Sequence, residues 1–358
     1  MLTNILLSLN ETYEISESFE SQLLPSLVWL KQNAMHVDGE EWKKFYRNIM
    51  SLALAKRYHN NQDFAKEALA VGSAEFVWEK ESDYQGINFI HSNLQSQAPE
   101  NLYNFLTSKN LSSYERFLVE NNSIKLDVVI DFAGTAYLRE HNYKLAIEWL
   151  SKSSWANELI YKDPFIDLLY DREEYLPGNN STTSKLNFAK EMLKLNTEAE
   201  LSKKPNAGVL YKMALGFYNT TYYGYAWELV EYNRSGSMYS LPAKLISDFE
   251  KDYYSCFTAH NYFEMAMNAS TNKNFKARCL FMMAKCRQKQ VVFPSYHDYK
   301  NSYSGYDDAF KIANNSFERS VYFDKLVKEY GKTTFYKEAY NSCSYLRDFV
   351  GEKKKKSY

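Results

Sequence analysis

Residues able to do chemistry are present in this 358-residue chain, but their spacing does not assemble a reaction centre. The six histidines, His36, His59, His91, His141, His260 and His297, are dispersed, and none sits in a ligand-like cluster. His297 and Asp298 are neighbours able to engage a ligand, yet they fall in a polar, Tyr-rich stretch of the kind that solvated loops are made of. Asp171, Glu173 and Glu174 crowd together, as do Asp307 and Asp308. Adjacency in sequence does not fix two carboxyls across one bond, which glycoside hydrolysis needs. No HExxH, GxSxG, Walker-type loop, GxGxxG or EF-hand loop occurs. Cys256, Cys279, Cys286 and Cys343 form no CxxC or Cys/His metal spacing. Cys279 and Cys286 lie seven apart, roughly 10 Å along one helix and too far for a disulfide, so free thiols are expected. The expectation is a non-catalytic chain with no cofactor and no metal site.

Composition then limits the elements that could position a binding surface. The 12 glycines and 7 prolines are too few for a turn-rich β fold, and long helices are favoured. In "DVVIDFAGTAYLREHNYKLAIEWLSKSS", Ile130, Ala133, Gly134 and Tyr137 fall at i, i+3, i+4 and i+7, one apolar stripe of a helix. "REHNY" interrupts, and Ala146, Ile147, Trp149 and Leu150 begin a second helix. Gly134, Tyr137, Tyr143 and Ala146 are spaced +3, +9 and +12, and Ala214, Phe217, Tyr223 and Ala226 repeat that spacing. The second set predicts that "ALGFYNTTYYGYAWELVEY" is a helix, a tight turn and another helix. A weaker copy has Leu54, Ala55, Tyr58, Phe64, Val71 and Ala74, with Glu67 at the alanine position. "PENLYNFLTSKNLSSYERFLVE" and "TSKLNFAKEMLKLNTEAEL" are candidate intervening hairpins, and "FKARCLFMMAKCRQK" reads as an amphipathic helix.

This small–aromatic–aromatic–Ala pattern resembles the tetratricopeptide repeat. "FDKLVKEYGKTTFYKEA" is similar to repeat junctions of proteins related to outer-membrane assembly lipoproteins, with Gly331 expected to stop a helix because it tolerates positive φ. Residues 205–350 also look like exported repeat proteins of Bacteroidota. The resemblance implies an all-α, right-handed solenoid of antiparallel helix pairs. Residues 1–171 would be N-terminal repeats, 172–207 an irregular connection with one helix, 208–350 C-terminal repeats with an insertion at 290–318, and 351–358 a basic mobile tail. It implies a scaffold or adaptor binding a peptide or helix of another protein in a concave groove, in a periplasmic or outer-membrane assembly if exported and otherwise in the cytoplasm. Carried onto the three matching hairpins, the groove positions are Lys56, His59 and Asn60, then Asp131, Thr135 and Arg139, then Tyr211, Tyr218 and Asn219.

Other partners are less favoured. Lys and Arg total 43 against 44 Asp and Glu, so no global field draws nucleic acid or anionic lipid. No run approaches the roughly eighteen apolar residues of a transmembrane helix, and "MLTNILLSLNETYE" lacks the basic start and cleavage site of a signal peptide. Two alternatives stay open. One is a surface glycan-binding protein using Trp78, Trp155, Trp227 or the tyrosines of 296–306; the other is a helical enzyme with a cleft between its halves.

Overall fold

The computed structural model describes residues 15–36, 39–78, 89–90, 97–122, 124–153, 155–169, 181–202, 204, 206–235, 245, 247–291, 305, 307–309, 311–313 and 321–356. These residues are mostly helical, as the scarcity of Gly and Pro leads one to expect. The strand content described is two residues a side, with Tyr161–Lys162 (β1) antiparallel to Thr182–Thr183 (β2). The chain forms two compact units, one of Met1–Leu138 with Leu145–Glu158, the other of Arg139–Lys144 with Leu159–Tyr358.

The first unit opens with α1 (Glu17–Ala34), whose Phe19 amide donates to the Ser16 hydroxyl at 3.2 Å. Leu23, Leu27, Leu30 and Ala34 are its buried stripe, facing α2 (Glu40–Asn48). A π-helical segment, Ile49–Leu54, joins α2 directly to α3 (Ala55–Asn60). Tyr46, Met50, Leu54 and Tyr58 recur every four residues and are all buried. In a helix of about 3.6 residues per turn that spacing drifts off one face, and the wider π turns bring it back.

The α4 helix (Phe64–Trp78) packs against α2, α3, α5 (Gln97–Leu106) and α6 (Ser113–Glu120), and is the centre of this unit. The helical hairpin expected at 54–74 is therefore present. At its alanine position Glu67 takes a different role, lying 3.1 Å from His59 Nδ1. "PENLYNFLTSKNLSSYERFLVE" folds into two helices, α5 and α6, the second opened by a capping box between Ser112 and Glu115; both pack on α4 rather than forming a close pair with each other. The next pair is α7 (Leu126–Arg139) and α8 (Tyr143–Leu150), followed by the short α9 (Trp155–Glu158). A Cβ on Gly134 would collide with Leu150, so the close approach that the small residue was expected to allow is real. The α7 helix is not a one-stripe helix, however, because every residue from Val129 to Leu138 is buried.

In the second unit α10 (Lys185–Leu201) packs on α11 (Ala207–Asn219), and α11 packs on α13 (Phe257–Ala269). The short α12 (Asp248–Ser255) is separated from α13 by Cys256, in the left-handed region at φ 54°. The α14 helix (Lys273–Lys289) contacts α13, α15 (Val321–Tyr330) and α16 (Thr334–Ser342), and α17 (Ser344–Lys356) contacts α16. Packed on several sides, α14 buries Leu280 through Ala284 without a break, while Lys276, Arg278, Lys285 and Arg287 stay half-buried on either side of that run.

Two further expectations are corrected. No second α-helix follows α11; residues 220–230 fold into a compact turn containing a 3-10 segment, Trp227–Leu229. The Thr220 and Thr221 hydroxyls donate to the Gly216 and Tyr218 carbonyls at 2.9 and 2.7 Å, and the Ala226 amide donates to the Asn219 carbonyl at 2.9 Å. These bonds close the end of α11 and reverse the chain, while α13 supplies the antiparallel neighbour. Gly331 does stop α15, but its φ lies outside the left-handed range. A side chain there would sit 2.5 Å from the Val327 carbonyl oxygen, and that close approach is what requires glycine.

All four cysteines are free, and burial pushes the Cys279 thiol up to about 12, leaving it protonated at neutral pH. Among the described residues no helix is long and apolar enough to cross a membrane.

Two histidines make the second unit acid-sensitive. Burial lowers the pKa of His141 against the opposing pull of Asp252, and burial lowers that of His260 against Glu264. Below the ordinary value of 6.5 the unfolded chain binds protons that the folded chain does not, so stability is complete above that pH and declines as the pH falls toward the folded values. Hydrogen exchange in α11 and α13 is expected to be faster, relative to intrinsic rates, at about pH 5 than at about pH 7.5. His141→Asn with His260→Gln should flatten that dependence. An unchanged profile in the double variant would remove the histidines as its cause.

Candidate binding cleft

A concavity lies in the first unit, where the α3–α4 turn faces the α5–α6 turn. It is an open cleft of about 500 Å³. One wall is Asn61, Gln62 and Asp63 with Phe64 and Ala65 at the start of α4. The other is Asn101, Asn104 and Phe105 of α5 with Ser108, Asn110 and Leu111 beyond it, and Glu115 of α6 closes one end.

Local structure explains how the first wall is held. The Asp63 amide donates to the Tyr58 carbonyl at 2.9 Å and the Gln62 amide to the His59 carbonyl at 3.0 Å, the paired bonds of a Schellman helix end. The position that must turn left-handed is Gln62, at φ 59°, where glycine is the usual occupant. Glutamine there costs about 1 kcal/mol of backbone strain, and it places an exposed carboxamide on the cleft wall. Asp63 then starts α4, its Oδ1 accepting from the Lys66 amide at 3.1 Å.

On the second wall Asn101 and Asn104 are one helical turn apart on the exposed side of α5, while Leu102 is fully buried. Asn61, Gln62, Asn101, Asn104 and Asn110 are all exposed, and none of their carboxamides bonds to another described residue. Phe64 and Phe105 are half-buried between them.

The acidic end is fixed by ion pairing. Glu115 Oε2 accepts from the Ser112 amide at 2.8 Å, and Oε1 lies 3.3 Å from Lys66 Nζ. Partial burial raises the Glu115 pKa, but the Ser112 amide and the Lys66 ammonium outweigh it and hold the carboxyl below its usual range. Behind it, Lys66 Nζ is 2.8 and 2.9 Å from the two oxygens of buried Glu20. Glu20, Asp63 and Glu115 thus share one ammonium, and among the described residues no lysine or arginine lines the cleft itself.

The residues expected to line a groove are distributed otherwise. Lys56, His59 and Asn60 are exposed near the end of α3, and Asn60 adjoins the cleft residue Asn61. Asp131 and Thr135 are buried in α7. Arg139 is held by Glu231 at 2.8 Å and the Val230 carbonyl at 2.7 Å, with its guanidinium 4.5 Å from the Phe249 ring centroid. Tyr211, Tyr218 and Asn219 are buried in α11. Five of the nine therefore present no surface to a partner.

His297, Asp298, Asp171, Glu173 and Glu174, the tyrosines of 296–306 and most of the 290–318 insertion lie outside the described residues, as do the side chains of Trp78 and Trp155. Trp227 is half-buried under Arg234, and Asp307 and Asp308 are exposed, with Lys311 3.7 Å from Asp308. Among the described residues no group of three His, Cys, Asp or Glu could hold a metal ion. The missed cleft residues did leave a trace in the sequence, because "YHNNQD" puts Asn and Gln where a helix-stopping turn ordinarily puts glycine. No protein-family model, curated protein or solved structure matches the chain.

Proposed function

We propose that this chain is a non-catalytic binding scaffold of tetratricopeptide-like construction, an adaptor that engages segments of other proteins within a larger assembly. The observation that supports this reading most directly is the cleft with five carboxamides that bond to no other described residue. A carboxamide offers donors and an acceptor together, the same complement a peptide group presents, so facing carboxamides can hold a polypeptide without relying on net charge. The packing of α4 against α3, α5 and α6 joins the two walls into the frame that such a surface needs.

The test is quantitative co-purification of the full chain, tagged at its native expression level, followed by mass measurement of the intact complex. A polypeptide partner near one-to-one stoichiometry is the expected result. Recovery of the chain alone, together with binding on an oligosaccharide array or turnover of a substrate, would overturn the scaffold reading.

A further inference from the structure

We infer that the cleft takes an extended peptide segment carrying a lysine or arginine, its backbone held by Gln62, Asn101 and Asn104 and its cationic side chain directed to Asp63 and Glu115. This rests on the scaffold reading and adds the chemistry of the partner.

Hydrogen-bonding chemistry selects the extended form. A docked helix has satisfied its own backbone and would leave the carboxamides idle. An extended chain brings unpaired N–H and C=O groups, which need partners when water is displaced.

Charge selects the side chain. Among the described residues the cleft is lined by two carboxylates and no basic residue, and the nearby Lys66 is already committed to Glu20 and Glu115. A phosphate, a sulfated sugar or an acidic peptide would meet repulsion there, whereas an ammonium or guanidinium would relieve it. Phe64 and Phe105 offer apolar surface for the methylene stem of a lysine or the plane of a guanidinium. A neutral sugar would satisfy the carboxamides but would leave Asp63 and Glu115 sharing a single ammonium, that of Lys66, with Glu20.

The test uses the full chain and a synthetic array of ten-residue peptides whose central position is Lys, Arg, Ala or Glu, with the best binders measured calorimetrically. Peptides with central Lys or Arg are expected to bind about tenfold tighter than their Ala counterparts, with Glu weakest. Asp63→Asn with Glu115→Gln keeps both helix-starting hydrogen-bond acceptors and should abolish that preference while residual peptide binding persists. Asn101→Ala with Asn104→Ala lies on an exposed face and should weaken every peptide while leaving the unfolding midpoint unchanged. A preference that survives Asp63→Asn with Glu115→Gln would overturn the inference. So would a native partner held equally well by both double variants, although the scaffold reading would then stand. Neutral oligosaccharides that bind and are lost in Asn101→Ala with Asn104→Ala would overturn both.

Discussion

Replacing Lys66 by methionine is expected to destabilise the first unit by about 3–5 kcal/mol at neutral pH, because it strands a buried carboxylate. Glu20 is 2% exposed, and both its oxygens are within 2.9 Å of Lys66 Nζ. Tyr58 Oη is 3.1 Å from Glu20 and 2.8 Å from Tyr114 Oη. Burial holds both phenols far above their usual pKa, so they stay neutral, and Tyr58 has a single proton to give the carboxylate. Methionine keeps the length and apolar stem of the lysine, so the loss reports charge rather than packing. Glu20→Gln combined with Lys66→Met should recover most of the stability, since the amide retains an acceptor for Tyr58 and no ion is left buried. Urea midpoints of the parent, single and double variants decide the matter. A Lys66→Met midpoint close to the parent would mean that water reaches Glu20 and compensates it.

The same region shows why the fold was easier to read than the site. Ala55 with Tyr58, and Gly134 with Ala146, marked helix contacts because small residues at helical spacing have few other uses, and the structure buries all four. Ala226 misled because a buried alanine serves a tight turn as well as a helix crossing, and what decides between them is the hydrogen bond from its amide to the Asn219 carbonyl. Repeat spacing puts Asp131, Thr135, Tyr211 and Tyr218 on an exposed face only if one stripe of each helix is buried. The α7 and α11 helices are instead covered on several sides, so periodicity alone could not separate inner from outer positions. The cleft depends on two turns, at Asn61–Asp63 and Ser108–Leu111, coming together, and each half reads singly as an ordinary solvated loop.

The spacing of Asn219 puts it among residues that would meet a partner, yet its surroundings assign it an internal task with a measurable signature. It is 5% exposed, and Nδ2 donates to the Pro164 carbonyl at 2.7 Å and lies 3.2 Å from Tyr225 Oη and 3.3 Å from the Ile166 carbonyl oxygen. It thereby ties the end of α11 to the segment leading from β1. Asn219→Asp preserves the shape and removes the donor. At neutral pH the introduced carboxylate would face two carbonyl oxygens, and the second unit should lose about 3–5 kcal/mol. Burial and those oxygens would raise the folded pKa of the new group above its unfolded value of about 3.9. The deficit relative to the parent should therefore be smallest below the unfolded pKa, where a protonated carboxyl can again donate to Pro164, and should grow as the pH rises through the folded pKa. Because His141 and His260 are common to both proteins, their titration cancels in the difference. Urea midpoints of the two proteins at about pH 4.5 and about pH 7.5 test this. A deficit that is absent at the higher pH, or equal at both, would sink the internal-tie account and return Asn219 to the candidates for direct contact with a partner.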